Sequence, residues 1–179
     1  MRGAFWKSIA VAGAMLTAAP PAQAELQRLP AGEAGLQELL DREEIRLLLL
    51  EYGRAFDERR LEDYAALFAE NGEWVGGPTV AKGPAEVLEM VTRVVADLPT
   101  GPGKRNFHVM TNMMIDVEGD SATAWSRYTF YMPGAEGPVP VVSGVYDDRL
   151  IRVDGQWKFL RRQLTADVAV GHQQEEAGD

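Results

Sequence analysis

Three residues of this chain are of types that can move a proton: Tyr52 and Asp57, at the end of an apolar helical run, and His108, on a strand-like segment about fifty residues later. A phenol, a carboxylate and an imidazole gathered in an apolar cavity form a proton-transfer set that requires neither metal nor cofactor. The imidazole can accept a proton and return it near neutral pH, and a carboxylate beside it fixes the tautomer and stabilises the imidazolium. Each residue also has a plainer reading. His108 can be a structural strand histidine, Asp57 an exposed acid or the N-cap of a second helix, and Tyr52 a core tyrosine. Five positions separate Tyr52 from Asp57, about 140° round an ideal helix. The two share one cavity only if the helix turns or frays near Asp57.

The elements that must position these residues follow from periodicity. Asp41-Arg-Glu-Glu44 reads as a capping box, and Ile45, Leu48, Leu49, Tyr52 and Phe56 follow at helical spacing, predicting a helix over 41–57 that Leu36, Leu39 and Leu40 extend backwards. A second helix is expected over 61–70, with Leu61, Tyr64, Ala65 and Phe68 on one face and Asn71-Gly72 as its stop. A short strand over 73–75 comes next, then a third helix opened by Gly83-Pro84 with Val87, Met90, Val91, Val94 and Val95 facing inward. From Asn106 the period changes to two, and strands are expected over 106–117, 121–132, 139–153 and 156–168, with Gly119-Asp120 and Asp154-Gly155 as tight turns. Helices followed by antiparallel strands make an α+β fold with helices on one face of a curved sheet.

Alternation assigns faces. His108 shares one with Met110, Asn112 and Met114, while Phe107, Val109, Met113 and Ile115 form an apolar stripe on the other. Such a stripe predicts a homodimer or homotrimer paired through the outer sheet face. Trp74, Met110, Asn112 and Tyr128 are candidate substrate-binding residues lining the cavity, with ordinary core packing as the alternative for each. Arg161 has the parity of Trp157 and Phe159, so it is expected to point inward and Arg162 outward. An inward arginine needs an acid or a substrate oxygen; a salt bridge to Asp147 or Asp167 is the plainer expectation.

Composition narrows the field. Residues 1–24 have a positive start (Arg2, Lys7), a short apolar run and Ala22-Gln23-Ala24, the pattern of a secretory signal peptide. The formal charge is −9; the segment carries Arg2 and Lys7 and no acids, so its removal leaves −11. A chain that acidic is a poor partner for nucleic acid or an anionic membrane, and a small apolar organic substrate fits better. There is no cysteine, which excludes disulfides and thiolate chemistry. The two histidines are too few good ligands for zinc, no phosphate loop or dinucleotide fingerprint is present, and no metal or cofactor is called for. The expected organisation is a signal peptide (1–24), a lead-in (25–35), one domain (36–168) and an acidic tail (169–179), in a periplasmic or secreted protein.

The run Tyr52-Gly-Arg-Ala-Phe-Asp57, the segment Leu61-Glu-Asp-Tyr-Ala-Ala-Leu-Phe68, Asn106-Phe-His-Val-Met-Thr-Asn112 and Asp154-Gly-Gln-Trp-Lys-Phe159 together resemble SnoaL-like proteins of the nuclear transport factor 2-like superfamily. The resemblance spans 36–168. It implies a cone-shaped curved antiparallel sheet with three N-terminal helices packed on its concave face, around an apolar pocket. The Tyr-x4-Asp spacing with a later strand histidine is similar to cofactor-free dehydratases such as bile-acid dehydratases and scytalone dehydratase. That similarity implies an Asp57–His108 proton-transferring pair, with Tyr52 orienting a substrate oxygen. Where scytalone dehydratase has a second cavity histidine this chain has 128–132, and where that enzyme has an asparagine it has Tyr146. The implied activity is a lyase eliminating water or formaldehyde from an aromatic or polycyclic alcohol. An isomerase using the same shuttle, or a non-catalytic binding or assembly module on the same fold, are the alternatives.

Overall fold

The computed structural model describes residues 32–101, 103 and 105–169. The expected signal peptide, the part of the expected lead-in before Gly32 and the expected tail after Ala169 lie outside the described residues. The elements run α1 (Gly32–Asp57), α2 (Leu61–Ala66), β1 (Phe68–Gly76), β2 (Thr79–Lys82), α3 (Gly83–Ala96), β3 (Phe107–Glu118), β4 (Ser121–Gly134), β5 (Gly137–Val153) and β6 (Gln156–Ala169).

α1 buries Ile45, Leu49, Tyr52, Ala55 and Phe56 along one side, the stripe an amphipathic helix lays on a core. It begins nine residues before Asp41, so Asp41 is no cap. Its buried carboxylate instead pairs with Arg152 at 2.5 Å and accepts from Gln37 Nε2 at 3.0 Å. α2 is shorter than expected, and Asn71-Gly72 lies inside β1 instead of ending a helix. A Cβ at Gly72 would meet the Phe159 carbonyl oxygen at 2.5 Å, so glycine permits the backbone of β1 to close on β6. β2 carries no clear alternation in the sequence and is an addition to the expected elements. α3 buries Val87, Met90 and Val91 but leaves Val94 half exposed.

The six strands form one sheet in the order β2-β1-β6-β5-β4-β3. Every pairing is antiparallel except β1 with β6. α1 lies over β3 and α3 over β1, so the helices cover one face of the curved sheet, and β3 is an edge strand.

Two irregularities decide which side chains face the helices. In β3, register shifts between Thr111 and Met114, where Asn112 and Met113 oppose the single residue Ser126 and Asn112 has φ 53°. This is a β-bulge, which adds a residue and inverts the alternation beyond it. Met113 and Ile115 therefore turn toward the core, and Met114 turns out with 53 % of its surface exposed. Asn112 does not share His108's face, and the outward stripe is Phe107, Val109 and Met114. In β6, Arg161 pairs with Arg149 but Phe159 pairs with Leu150, making Leu160 the extra residue. Parity reverses there too. Arg162 is fully buried, whereas Arg161 is half exposed on the other face. The expected orientations of the two arginines are thus exchanged.

Candidate active site

Asp57 is the last residue of α1. The helix is closed by hydrogen bonds from Arg59 N–H to the Phe56 carbonyl (3.1 Å) and from Arg60 N–H to the Ala55 carbonyl (2.8 Å), with Arg59 left-handed at φ 61°. That is the Schellman arrangement, built on an arginine where glycine is usual. A carboxylate at a helix C-terminus opposes the helix dipole, so Asp57 draws its stabilisation from elsewhere, namely the start of β3. Arg60 stands in the N-cap position of α2, with no side-chain cap bond; Asp57 is not that cap.

β3 reaches Asp57 because α1 carries Gly53 where the two elements touch. A Cβ on Gly53 would lie 3.2 Å from His108 Cβ and 3.5 Å from Met110 Sδ. The approach places His108 Nδ1 2.8 Å from Asp57 Oδ1, and the His108 backbone N–H donates to Oδ2 at 2.7 Å. Asn106 Nδ2 also donates to Oδ1, at 2.9 Å. Since a carboxylate can only accept, the partner assigns the imidazole proton to Nδ1. Nε2 is then an open acceptor, and no described residue hydrogen-bonds to it.

The ring is walled by Phe56, edge-on with centroids 5.2 Å apart, and by Phe130 at 4.8 Å. The side chains of His108 and Asp57 keep 9 % and 17 % of their surface. Both line an open groove along α1 of about 860 Å³, whose apolar lining includes Leu47, Leu48, Leu50 and Met110 and whose charged lining is Glu44, Glu51, Glu58 and Arg54. With Asp57 that makes four acids against one arginine, which disfavours an anionic occupant. The described residues contain no cluster of three or more acids or histidines able to hold a metal.

Tyr52 belongs to a different cluster. Its hydroxyl oxygen accepts from Tyr64 Oη at 2.6 Å and from Trp74 Nε1 at 2.8 Å. The Arg162 guanidinium lies 4.0 Å from the Tyr52 and Tyr146 ring centroids and 4.4 Å from that of Phe159, and it donates twice to Asp148, each bond 2.9 Å. Burial raises the Tyr52 phenol above its ordinary range despite the pull of Arg162, pushes Tyr64 and Tyr146 well above theirs, and pushes Tyr128 up to about 12. Burial also lifts Asp148 to about 6 against the attraction of Arg162. Burial disfavours the Arg162 charge, but Asp148 and the ring oxygens hold its pKa above the usual value. The two parallel hydrogen bonds have the bidentate geometry of an arginine–carboxylate pair.

Among the described residues no hydrogen bond joins Tyr52 to Asp57 or His108; the Phe56 ring, packed on both Tyr64 and His108, stands between the clusters. Of the other expected cavity residues, Met110 lines the groove. Trp74 is tied to Tyr52. Tyr128 is stacked on Tyr146 with centroids 4.4 Å apart, its buried hydroxyl without a partner among the described residues. Asn112 is exposed at the bulge. Arg161 bonds Glu73 at 2.7 Å, not Asp147 or Asp167, and Asp167 pairs with Arg127. Asn106, Arg59, Asp148 and Arg162 are the participants that pattern reading passed over. Asn106 shares His108's parity, which is a usable signal; nothing local distinguishes Arg59.

The SnoaL-like domain pattern matches residues 37–163, from α1 into β6. The chain belongs to this family. An uncharacterized protein of Mycobacterium tuberculosis is 27 % identical over 136 residues, 72 % of this chain and 86 % of that one. This SnoaL-like chain is also similar to a solved NTF2-like protein with a cystatin-like fold from Novosphingobium aromaticivorans, at 26 % identity and TM-score 0.66 over 76 % of this chain and 89 % of the other. A structure from the same organism assigned as a scytalone dehydratase aligns at 25 % identity and TM-score 0.63, over 73 % and 87 %. The fold is thus the nuclear transport factor 2-like one, and its neighbours include a protein assigned as an enzyme beside others of no stated activity.

Proposed function

We propose that this protein is a cofactor-free lyase that eliminates water from a small, neutral, largely apolar alcohol. The carrying observation is the Asp57–His108 pair, with Nδ1 held by the carboxylate and Nε2 without a partner among the described residues, beside a groove lined in part by Leu47, Leu48, Leu50 and Met110. In the proposed step Nε2 takes a proton from the carbon next to the carbinol carbon. The C–H electrons become the C=C bond, the C–O bond breaks, and the oxygen leaves as water with the proton that Nε2 returns. Asp57 already accepts three hydrogen bonds, so it orients and stabilises the imidazolium and does not itself take the substrate proton. The similarity to a structure assigned as a scytalone dehydratase supports an elimination over a simple binding role. Formaldehyde release and isomerisation use the same base and remain as outcomes of the test.

The test is to incubate aromatic and polycyclic alcohols with the protein and follow the products by mass spectrometry. Loss of water that depends on His108 supports the reading. Loss of formaldehyde, or rearrangement at unchanged mass, replaces it with one of the two alternatives, and tight binding without conversion replaces it with a carrier. The proposal extends to a homodimer or homotrimer paired through Phe107, Val109 and Met114, which keep 38 %, 41 % and 53 % of their surface. A monomer by light scattering at micromolar concentration would remove that part. Export through the 1–24 segment is likewise proposed, and N-terminal sequencing of protein recovered from the periplasm tests it.

A further inference from the structure

The Asp57 carboxylate is held by a chain of groups with only one consistent set of donors. Arg59 Nη2 donates to Asn106 Oδ1 at 2.5 Å, and Arg59 Nη1 donates to the Phe56 carbonyl at 2.9 Å. Asn106 Nδ2 donates in turn to Asp57 Oδ1 at 2.9 Å, and Oδ1 meets His108 Nδ1 at 2.8 Å. A side-chain amide between neighbours that accept equally well could face either way. Here one neighbour is a guanidinium, which can only donate, and the other a carboxylate, which can only accept. The Asn106 amide therefore has one orientation, and Arg59 sets it.

Burial and backbone both fit this role. Asn106 is 1 % exposed, so a reversed amide would leave a donor facing a donor with no water to relieve it. Arg59 holds φ 61°, a conformation that disfavours residues with a Cβ. A non-glycine residue in such a conformation is held there by what surrounds it. The side-chain bonds of Arg59 supply that, and a glycine, which would suit the turn, could not make them.

We infer that Arg59 and Asn106 are positioning residues for the proposed reaction: they act through Asp57 to fix the His108 tautomer that presents Nε2 as the base. The inference rests on the lyase reading for its catalytic meaning, but its structural core is testable without any substrate. The full chain has only two histidines, so a ¹⁵N–¹H spectrum of the imidazoles can be assigned by comparison with His108→Ala. The expected wild-type spectrum shows His108, in its neutral form, as the Nδ1–H tautomer with a slowly exchanging Nδ1 proton.

Arg59→Gly keeps the left-handed turn, relieves its strain and removes the guanidinium. It should retain or raise the melting temperature while His108 becomes a mixture of tautomers and its Nδ1 proton exchanges at least about tenfold faster. Asn106→Ala should mix the tautomers and speed the exchange more strongly, at a lower melting temperature, and Arg59→Lys, which keeps a donor, should restore most of the wild-type signal. Once a substrate is known, Arg59→Gly should lower kcat by about tenfold with little change in KM, as expected when a base is left in place but less well oriented. A wild-type tautomer and exchange rate in Arg59→Gly would overturn the inference, even if Asn106→Ala proved too unstable to measure. An altered tautomer in a protein that converts no alcohol would leave the positioning intact and overturn the lyase reading alone.

Discussion

The two polar clusters of this molecule use similar side chains to opposite ends. At the open edge, Asp57 and His108 meet beside a groove and leave Nε2 without a described partner. In the interior, Asp148 and Arg162 meet in two parallel hydrogen bonds, sealed by Tyr52, Tyr146 and Phe159. A reactive acid–base group has to keep one lone pair or proton uncommitted. A buried charge has to commit nearly all of its own or its fold suffers. On the proposed lyase reading the edge cluster serves turnover, whereas the interior one commits its donors to the core, apart from Arg162 Nη1, which has no partner among the described residues. Tyr52, which sequence spacing joins to Asp57, belongs to the interior.

Substitutions can break this contrast. The largest effect on stability should come from Arg162→Leu, which strands the Asp148 carboxylate in the core and should cost about 3–5 kcal/mol in chemical denaturation. Arg162→Leu with Asp148→Leu removes both charges and should recover most of that loss; a double variant as unstable as the single would show that packing around Arg162, not the unpaired charge, is decisive. Next in size is Tyr52→Phe. It leaves the Tyr64 hydroxyl and Trp74 Nε1 without their acceptor and should destabilise by about 1–3 kcal/mol. If it lowers turnover strongly at unchanged stability, Tyr52 touches the substrate and the two clusters are one site.

Gly53→Ala should have a smaller effect on stability. In a helix interior the change ordinarily stabilises by about 1 kcal/mol, but the new Cβ meets His108 Cβ at 3.2 Å. The gain should be cancelled, and the His108 Nδ1 proton should exchange faster as α1 and β3 part. A more stable variant with unchanged exchange would show that the approach at Gly53 is not tight. The last effect vanishes at working pH. Tyr52, Tyr64, Tyr128 and Tyr146 have phenol pKa values raised by burial. A folded value above the unfolded one, about 10, contributes stability that is complete below the unfolded value and lost as pH rises through the folded one. Unfolding free energy should therefore fall above about pH 10, through about 12 for Tyr128. Ultraviolet titration showing these four phenols ionising at their ordinary value in the folded protein would contradict their burial.

The element order and the long strands were legible because they rest on strong local signals: helical spacing carries Tyr52 and Phe56 to the core, and turn residues delimit the hairpins. The pairing of Asp57 with His108 was implied by the resemblance to cofactor-free dehydratases, since periodicity alone left His108 a structural reading. What was not legible turns on single extra residues. The bulges at Asn112 and Leu160 invert parity, which moved Asn112 and Met114 off the face of His108 and exchanged Arg161 with Arg162. Neither bulge is marked by a glycine or proline. Gly72 looked like a helix stop because its real function, close approach to Phe159, depends on a strand more than eighty residues away. The Asp148–Arg162 pair spans the expected β5–β6 hairpin, but only the extra residue Leu160 brings the two opposite each other, and the link from Arg59 to Asn106 is a long-range contact with no local trace.

The measurement that bears most directly on the division between the clusters is the turnover of His108→Ala, on the alcohol identified by screening, taken beside its melting temperature. His108 contacts Phe56 and Phe130 at the edge of the core, so its loss should leave a folded protein that still binds the alcohol. Turnover should fall by about 100-fold or more. Full activity in a folded His108→Ala protein would contradict the account.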